Sequence, residues 1–292
     1  MKTKRARQIN YWTLGGFEGE KPVEKVLVEA REMGYEGVEL CFGAGVFGPE
    51  TPEAVVRGYR DAAKKLGLQI TTLATGVHWN LSLGSPDAAE RKKAVEFTRA
   101  YLQAASWVGA KAVLVIPGAV DVAWDASRPV VPARAVWTNA ARSIRSLLPL
   151  AKKLRVVMAV ENVWNKFLTG PFEMKLFVDQ FHSPYVGCYF DVANCRLNGY
   201  PEHWIEILGR RIKAVHLKNF SLSDCAGGLH GFGDDLLTGD VNLKSVIAAL
   251  DKAGYRGPLT AEMVPFSRLP DLVLPDLDLA RKTAGQLLAI TS

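Results

Sequence analysis

The sequence predicts an α/β fold in which eight short strands alternate with eight helices and close into one (β/α)8 barrel. Short runs rich in Val, Leu and aromatic residues alternate with amphipathic helical patterns along the chain, which is typical of parallel strands covered on both faces. A length of 292 residues suits one such barrel. The rival, an open doubly wound sheet, usually carries a Gly fingerprint after its first strand, and Gly15, Gly16 and Gly19 do not supply one.

Four strand-helix units make up the first half of the chain. Residue types at the helix ends support these units: Pro22 opens the first helix and Gly34 ends it, while Ser85-Pro86-Asp87 caps the third, which reaches Gly109. Strands are predicted at 8–14, 37–42, 69–76 and 111–118, and helices at 22–34, 52–66, 85–109 and 133–153.

The second half repeats the alternation. Each strand run is largely apolar and leads to one metal-capable residue near its end, and the longest irregular segment, 221–240, follows the seventh strand. Strand runs begin near residues 156, 186, 212 and 257, and helices are predicted at 171–181, from 201 onwards, and at 243–253 and 272–288.

Composition indicates an ordinary globular chain, with 48% apolar and 23% charged residues. The net charge of +6 permits an anionic ligand without selecting one. We expect one domain over 1–292 in which residues 1–7 form a disordered basic tail, since no apolar signal segment follows them. No run approaches the roughly 18 apolar residues of a membrane span. The four cysteines lack CxxC spacing, so we expect reduced thiols and a cytoplasmic protein.

Metal-capable side chains end the last four predicted strands: Glu161, Asp191, His216 and Glu262. Because the C-terminal ends of barrel strands lie on one face of the barrel, we expect these four side chains to converge. We expect no basic residue on the same strand to compensate their negative charge. Each alone could be a polar strand end, but four in succession favour one divalent metal ion. Three carboxylates and an imidazole suit Mn²⁺, with Mg²⁺, Co²⁺ or Zn²⁺ as alternatives. Without a cation, the carboxylates would raise one another's pKa.

Motifs at these positions resemble a known superfamily. They are Glu161-Asn162-Val163-Trp164, Tyr189-Phe190-Asp191-Val192-Ala193-Asn194, Val215-His216-Leu217-Lys218-Asn219, Gly239-Asp240-Val241-Asn242, and Gly254-Tyr255-Arg256-Gly257-Pro258 before Ala261-Glu262. Over nearly its whole length, the chain resembles the sugar phosphate isomerase/epimerase superfamily of xylose isomerase-like TIM barrels. That group includes D-tagatose and D-psicose 3-epimerases, pentulose-phosphate epimerases, inosose dehydratase and endonuclease IV.

The resemblance implies that the four strand-end residues bind one divalent metal ion, and that Glu161 and Glu262 are also the catalytic acid/base pair. These glutamates would act on opposite faces of a ketose or ketose phosphate, one removing the proton α to the carbonyl and the other returning a proton. The metal would polarise the carbonyl and stabilise the enediolate. The implied activity is that of a sugar isomerase or 3-epimerase with a small-molecule partner. Many relatives are dimers or tetramers, so a homodimer or homotetramer is expected.

Some features depart from the ketose 3-epimerase pattern and leave alternatives open. Asn194 stands where those enzymes and endonuclease IV carry a histidine, whereas several phosphopentulose epimerases resemble this chain in having Asn. One alternative uses the same metal and bases for an elimination reaction in place of re-protonation. The chain would then be a dehydratase or lyase acting on a keto-inositol or a 3-keto-glycoside, including C-glycoside cleavage. A less favoured alternative is abasic-site DNA cleavage, which requires more histidines than the five present. We therefore expect no nucleic-acid partner and no membrane partner.

Six further side chains are predicted to contact the substrate: Asn194, His78, Trp12, Trp164, Lys218 and Glu39. His78 could hydrogen-bond a sugar hydroxyl, with a surface position as the alternative. Trp12 and Trp164, like Trp79 and Trp124, lie near strand ends and could form apolar walls, with core or rim packing as the alternative. Lys218 could meet a phosphate. For Glu39, a structural salt bridge is the alternative to a place in the pocket.

Overall fold

The strands of this chain form a closed parallel barrel in sequence order. The structure, a computed structural model, describes residues 5–15, 19–43, 45–122, 124–264 and 275–292. β8 returns to pair with β1, which closes the sheet and confirms the predicted (β/α)8 architecture. The strands are β1 Arg7–Asn10, β2 Gly37–Cys41, β3 Thr72–Ala74, β4 Ala112–Val115, β5 Val157–Glu161, β6 Val186–Asp191, β7 Ile212–Leu217 and β8 Leu259–Ala261.

Helices connect successive strands, and several begin or end where the sequence places capping residues. The Asp87 side chain accepts a hydrogen bond from the amide of Ala89, and Gly109 ends the same helix with φ 92°. The helices are α1 Tyr11–Gly15, α2 Val23–Glu32, α3 Glu53–Lys65, α4 Ala88–Val108, α5 Ala133–Leu154, α6 Pro171–Asp179, α7 Pro201–Leu208, α8 Leu243–Lys252 and α9 Leu277–Thr291. Among the described helices, none combines the length and apolar character required to cross a membrane.

The N-terminal segment differs from its prediction. The first strand was expected to run from 8 to 14, but it ends at Asn10, whose side-chain oxygen accepts a hydrogen bond (2.8 Å) from the amide of Trp12 and turns the chain into α1. The basic tail was expected to reach residue 7, yet Arg7 begins β1 and its Nε lies 3.1 Å from Glu36. Arg5 is buried and pairs with Asp251. Residues 1–4, like 272–274 of the predicted last helix, lie outside the described residues.

Small side chains fill much of the barrel interior. A distinct inner cluster contains four alanines (Ala74, Ala112, Ala159 and Ala214) together with Leu114, Ile116 and the large ring of Tyr189. The remaining apolar residues form the layer between the strands and the surrounding helices. Register across the second half of the sheet pairs Asp191 with His216 and His216 with Thr260. Consecutive strand ends therefore present their side chains at one mouth of the barrel.

Candidate metal centre

The four strand-end residues converge as the sequence predicted. Glu161, Asp191 and His216 lie in β5, β6 and β7, and Glu262 directly follows β8. One ligand-capable atom from each lies within 4.8 Å of the others, and all four residues are buried. Their convergence follows from the closed sheet, because neighbouring parallel strands end side by side.

Hydrogen bonds on the far side of the imidazole fix the orientation of His216. Its Nε2 lies 2.6 Å from Glu39 Oε1, which also accepts a hydrogen bond of 2.7 Å from the side-chain Nδ2 of Asn10. The hydroxyl of Tyr189 donates to the other oxygen of Glu39. His216 Nδ1 lies 3.1 Å from Glu161 Oε1. With Nε2–H donating to Glu39, the lone pair of Nδ1 is directed at the carboxylate cluster, as in a histidine that binds a metal.

Asp191 is held rigidly and keeps one oxygen poorly satisfied. Its Oδ1 accepts bonds of 2.9 and 2.7 Å from the amides of Ala193 and Asn194, and its own amide donates to Asn162 Oδ1 at 2.9 Å. Oδ2 is buried and makes no hydrogen bond of good geometry, although Lys218 Nζ lies 2.9 Å away. Buried polar atoms normally have a well-aligned partner, so this oxygen is a candidate metal ligand whose place is now taken by an ammonium.

Burial and crowding alter the protonation of the cluster. Burial raises the pKa of Glu161 to about 7, and the charges of Glu262 and Asp191 add to the rise while His216 opposes it. Burial likewise raises the pKa of Asp191, against the opposing charge of Lys218. For His216, burial acts to lower the pKa, but Glu262 and Glu39 raise it well above its ordinary value. The group is therefore short of positive charge, and its hard oxygen and imidazole donors fit a divalent ion.

Lys218 supplies compensation that the sequence interpretation did not include. Its ammonium lies 2.7 Å from Glu262 Oε2 and 2.9 Å from Asp191 Oδ2, and its side chain is 6% exposed. The carboxylates thus receive a cation from the strand between their own. The signal was present in the sequence, because residues two apart in an extended segment point to the same side, and Lys218 stands two after His216.

A cavity of about 400 Å³ opens above the cluster. Glu161 and Glu262 belong to its lining, and so do four of the six predicted substrate contacts, namely Asn194, Trp12, Trp164 and Lys218. Trp79 and Trp124 also line it, with ring centroids 4.5 Å apart. Most of the remaining lining is apolar, and it includes Leu114, Ile116, Val163, Leu229 and Phe232.

Two predicted substrate contacts lie elsewhere. Glu39 is fully buried behind His216 and is not among the described cavity-lining residues, so the structural alternative describes its position. His78 is 1% exposed, with Nε2 3.0 Å from Thr98 Oγ1 and its ring 5.7 Å from that of Phe97 on α4. It lies in the turn Val77–Trp79, where Val77 and Trp79 face the cavity and His78 faces the helix layer. Neither the sugar contact nor the surface position expected for His78 is present.

Arg128 is a cavity residue that sequence reasoning missed. Its guanidinium binds the carbonyl of Trp79, Asn80 Oδ1 at 2.6 Å and Asp125 Oδ2 at 2.8 Å. It therefore joins the segment after β3 to the long segment after β4, which carries Trp124. The contact with Asp125 is local, but nothing in the local pattern around Arg128 indicates its contacts with Trp79 and Asn80, because these depend on how two loops meet.

A closed parallel barrel with an acidic and imidazole cluster at the C-terminal ends of its strands defines a TIM-barrel protein with a candidate divalent-metal centre. The chain belongs to the xylose isomerase-like TIM barrel family, whose family model matches residues 27–284. Among curated protein sequences, none matches this chain significantly.

Several crystal structures share the fold over almost the whole chain. A D-psicose 3-epimerase in the presence of D-fructose has a TM-score of 0.78 and 17% identity, covering 98% of each chain. A 3-keto-D-glucoside 4-epimerase from E. coli has a TM-score of 0.74 and 14% identity, covering 99% of this chain and 100% of that one. An L-ribulose 3-epimerase has a TM-score of 0.72 and 18% identity, covering 96% and 86%. At these identities, the matches establish the fold.

Metal addition is expected to stabilise the protein. After chelation, a concentration of Mn²⁺ about 100 times its Kd should raise the free energy of unfolding by roughly 2.7 kcal/mol and Tm by about 5 °C. The increase should shrink as the pH falls below 7, because the metal must then displace a proton from Glu161, whose pKa is raised to about 7. Differential scanning calorimetry at pH 8 and pH 6 measures both effects.

Two variants test whether this stabilisation comes from the cluster. Asp191→Asn should lose most of the Mn²⁺-dependent increase in Tm. Asp278→Asn, on an exposed side chain of α9, should retain it. No shift in the unmodified protein with Mn²⁺, Mg²⁺ or Co²⁺ at pH 8 would contradict a metal centre.

His78 is expected to make the fold sensitive to acid. Burial lowers the pKa of His78 to about 3, so below pH 6.5 the unfolded chain binds a proton that the folded chain excludes. Its contribution to stability should fall as the pH drops, by up to about 1.4 kcal/mol per pH unit. In urea unfolding, His78→Gln should lose less stability between pH 7 and pH 5 than the unmodified protein. The matched control is His203→Gln, exposed on α7; an equal pH dependence of all three proteins would contradict the assignment.

Proposed function

We propose that this chain is a divalent-metal-dependent sugar epimerase or isomerase that moves a proton at the carbon α to the carbonyl of a ketose or ketose phosphate. One observation carries the proposal: Glu161 and Glu262 belong to the metal-capable cluster and also line the cavity. A substrate in that cavity would therefore contact both carboxylates. The names of the similar crystal structures, D-psicose 3-epimerase and L-ribulose 3-epimerase, support the same reaction class.

The two glutamates provide the proton transfers. When bound, a divalent ion would polarise the substrate carbonyl and stabilise the negative charge that develops on its oxygen. One glutamate accepts the proton α to the carbonyl, and the other returns a proton from the opposite face, which inverts the centre. Before a metal ion binds, Lys218 donates to Glu262 Oε2 and holds that carboxylate in position.

The cavity walls favour substrate binding and protect the carbanion-like intermediate from water. Trp12, Trp79, Trp124 and Trp164 offer apolar faces to the C–H faces of a sugar. Asn194 donates its side-chain N–H to the carbonyl of Asn162 at 2.9 Å, and among the described residues no partner takes its Oδ1. That oxygen is available to a substrate hydroxyl.

Finer properties of the protein remain predictions. Mn²⁺ is the proposed ion, a homodimer or homotetramer the proposed assembly, and the cytoplasm the proposed location. The proposal assigns one domain to the whole chain.

Elimination from a 3-keto-glycoside or a keto-inositol is a second candidate, favoured by the walls of the cavity. Polar lining groups are largely engaged by the protein: Arg128 binds Asp125 and Asn80, and Thr75 Oγ1 accepts from the Val77 amide at 3.1 Å. Large apolar walls suit a sugar that carries an apolar substituent. Abasic-site cleavage has no comparable support. The structure describes all five histidines, and His216 is the one that belongs to the cluster.

Hydrogen exchange at carbon should reveal the reaction class. With Mn²⁺ in D₂O, the protein should introduce deuterium at the carbon α to the carbonyl in at least one member of a panel of ketoses, ketose phosphates, keto-inositols and 3-keto-glycosides. NMR detects the exchange, and mass spectrometry separates epimerisation, which conserves mass, from dehydration, which loses water. Absence of exchange across the panel with Mn²⁺ bound would count against both candidates.

Substituting a glutamate should separate proton transfer from metal binding. Glu262→Gln should lower kcat by about 10²–10⁴-fold while Mn²⁺ still binds measurably, because Gln keeps a ligand oxygen but cannot exchange the proton. Glu161→Gln should behave in the same way. Steady-state kinetics and isothermal titration calorimetry check the two quantities, with Glu206→Gln, exposed on α7, as the matched control. Full activity of Glu262→Gln would remove this residue from the mechanism.

A further inference from the structure

The ammonium of Lys218 binds two of the four candidate metal ligands. Nζ lies 2.7 Å from Glu262 Oε2 and 2.9 Å from Asp191 Oδ2, both distances of direct ion pairs. His216 Nδ1 lies 3.6 Å from the same Glu262 oxygen. A divalent ion bound by this set needs oxygens that Lys218 already holds.

The ammonium of Lys218 also lies over the aromatic ring of Phe232. Nζ lies 5.0 Å from the centre of the Phe232 ring, within the range of a cation–π contact. Both Lys218 and Phe232 line the cavity, and a lysine has a flexible four-carbon stem with which to reposition its charge. Movement away from Asp191 would keep the ammonium beside an aromatic face and bring it closer to a substrate.

We propose that Lys218 is a built-in counter-cation that competes with the metal for Asp191 and Glu262. In the absence of a bound ion, its charge keeps the two carboxylates together. Metal binding takes these oxygens and displaces the ammonium towards Phe232 and the cavity, where it can donate to a substrate oxygen. This inference rests on the metal centre of the proposed function and adds a residue that sets its affinity.

Opposite effects on affinity and on stability distinguish this role from simple packing. Lys218→Met removes the charge at similar length, so Mn²⁺ no longer displaces an ammonium and should bind about tenfold or more tightly. The same change leaves Asp191 and Glu262 without their cation, so Tm of the metal-free protein should fall. Isothermal titration calorimetry with Mn²⁺ at pH 8 and calorimetric unfolding after chelation measure the two quantities.

Two further variants control for charge and for the strand. Lys213→Met removes a lysine from β7, the strand that Lys218 directly follows; Lys213 Nζ donates to the carbonyl of Arg210, and the change should leave Mn²⁺ affinity unchanged. Lys218→Arg retains the positive charge and should keep Mn²⁺ affinity close to that of the unmodified protein. If Lys218→Met binds Mn²⁺ no more tightly, or if Lys218→Arg tightens binding to the same extent, the competition is wrong.

Experiments with loaded protein remain decisive if Lys218→Met folds only with metal. The variant is then purified with Mn²⁺, and release of the ion to a chelator is timed; slower release than from the unmodified protein supports the proposal, and equal or faster release overturns it. None of these measurements requires turnover. If the unmodified protein binds Mn²⁺ but Lys218→Met binds it no more tightly, the role of Lys218 is refuted and the proposed function stays intact. If the unmodified protein binds no divalent ion, the metal centre itself is refuted.

Discussion

Repulsion among buried carboxylates is the constraint on which the arrangement of this site depends. Two unit charges about 4 Å apart interact by roughly 4 kcal/mol at an effective dielectric constant of 20. Glu161, Asp191 and Glu262 are all buried within this range of distances, and Glu39 lies behind them. The fold answers with side chains that are also fixed in place: the imidazole of His216 contacts Glu39 and Glu161, while the ammonium of Lys218 bridges the other two carboxylates. A divalent ion would supply more positive charge to this cluster than the single ammonium does.

Rigidity in the backbone makes such a cluster tolerable. Each ligand candidate belongs to a strand or follows one directly, and closure of the sheet leaves no free edge on which these strands could shift. Asn162 ties the end of β5 to the end of β6 through two hydrogen bonds with the backbone of Asp191, at 2.8 and 2.9 Å. The side chains of Asn10 and Tyr189 hold Glu39 beneath the imidazole by donating hydrogen bonds to its carboxylate. Reacting groups that are held by strands rather than loops retain the geometry that proton transfer requires.

The sequence was sufficient for the barrel and for the cluster at its mouth, because both depend on the order of strands. Side-chain direction was harder to predict. Glu39 lies on the same face of β2 as Cys41, but Cys41 lines the cavity and Glu39 lies one layer deeper, and a shift of two residues cannot be read from an apolar pattern. His78 turns to the helix layer because Val77 and Trp79 on either side of it face inwards. Contacts between loops, such as those of Arg128, depend on tertiary geometry that local sequence does not encode.

The division between strands and loops also explains why the proposed chemistry has two possible outcomes. Removal of a proton next to a carbonyl begins both epimerisation and elimination, and in the proposed function the same two glutamates at the strand ends serve either course. The outcome is set by whether the same carbon is protonated again from its opposite face or a leaving group departs from the neighbouring carbon, and the cavity walls determine which substrate is bound. Here much of the wall is formed by aromatic residues in the segments after β3, β4 and β5, and the Arg128 guanidinium joins the first two of these segments through the Trp79 carbonyl and the Asp125 carboxylate. Because loop segments can change without disturbing side chains on the strands, this architecture separates substrate selection from chemistry, and in the proposed function the apolar surface of the cavity favours a glycoside with an apolar substituent over a free sugar.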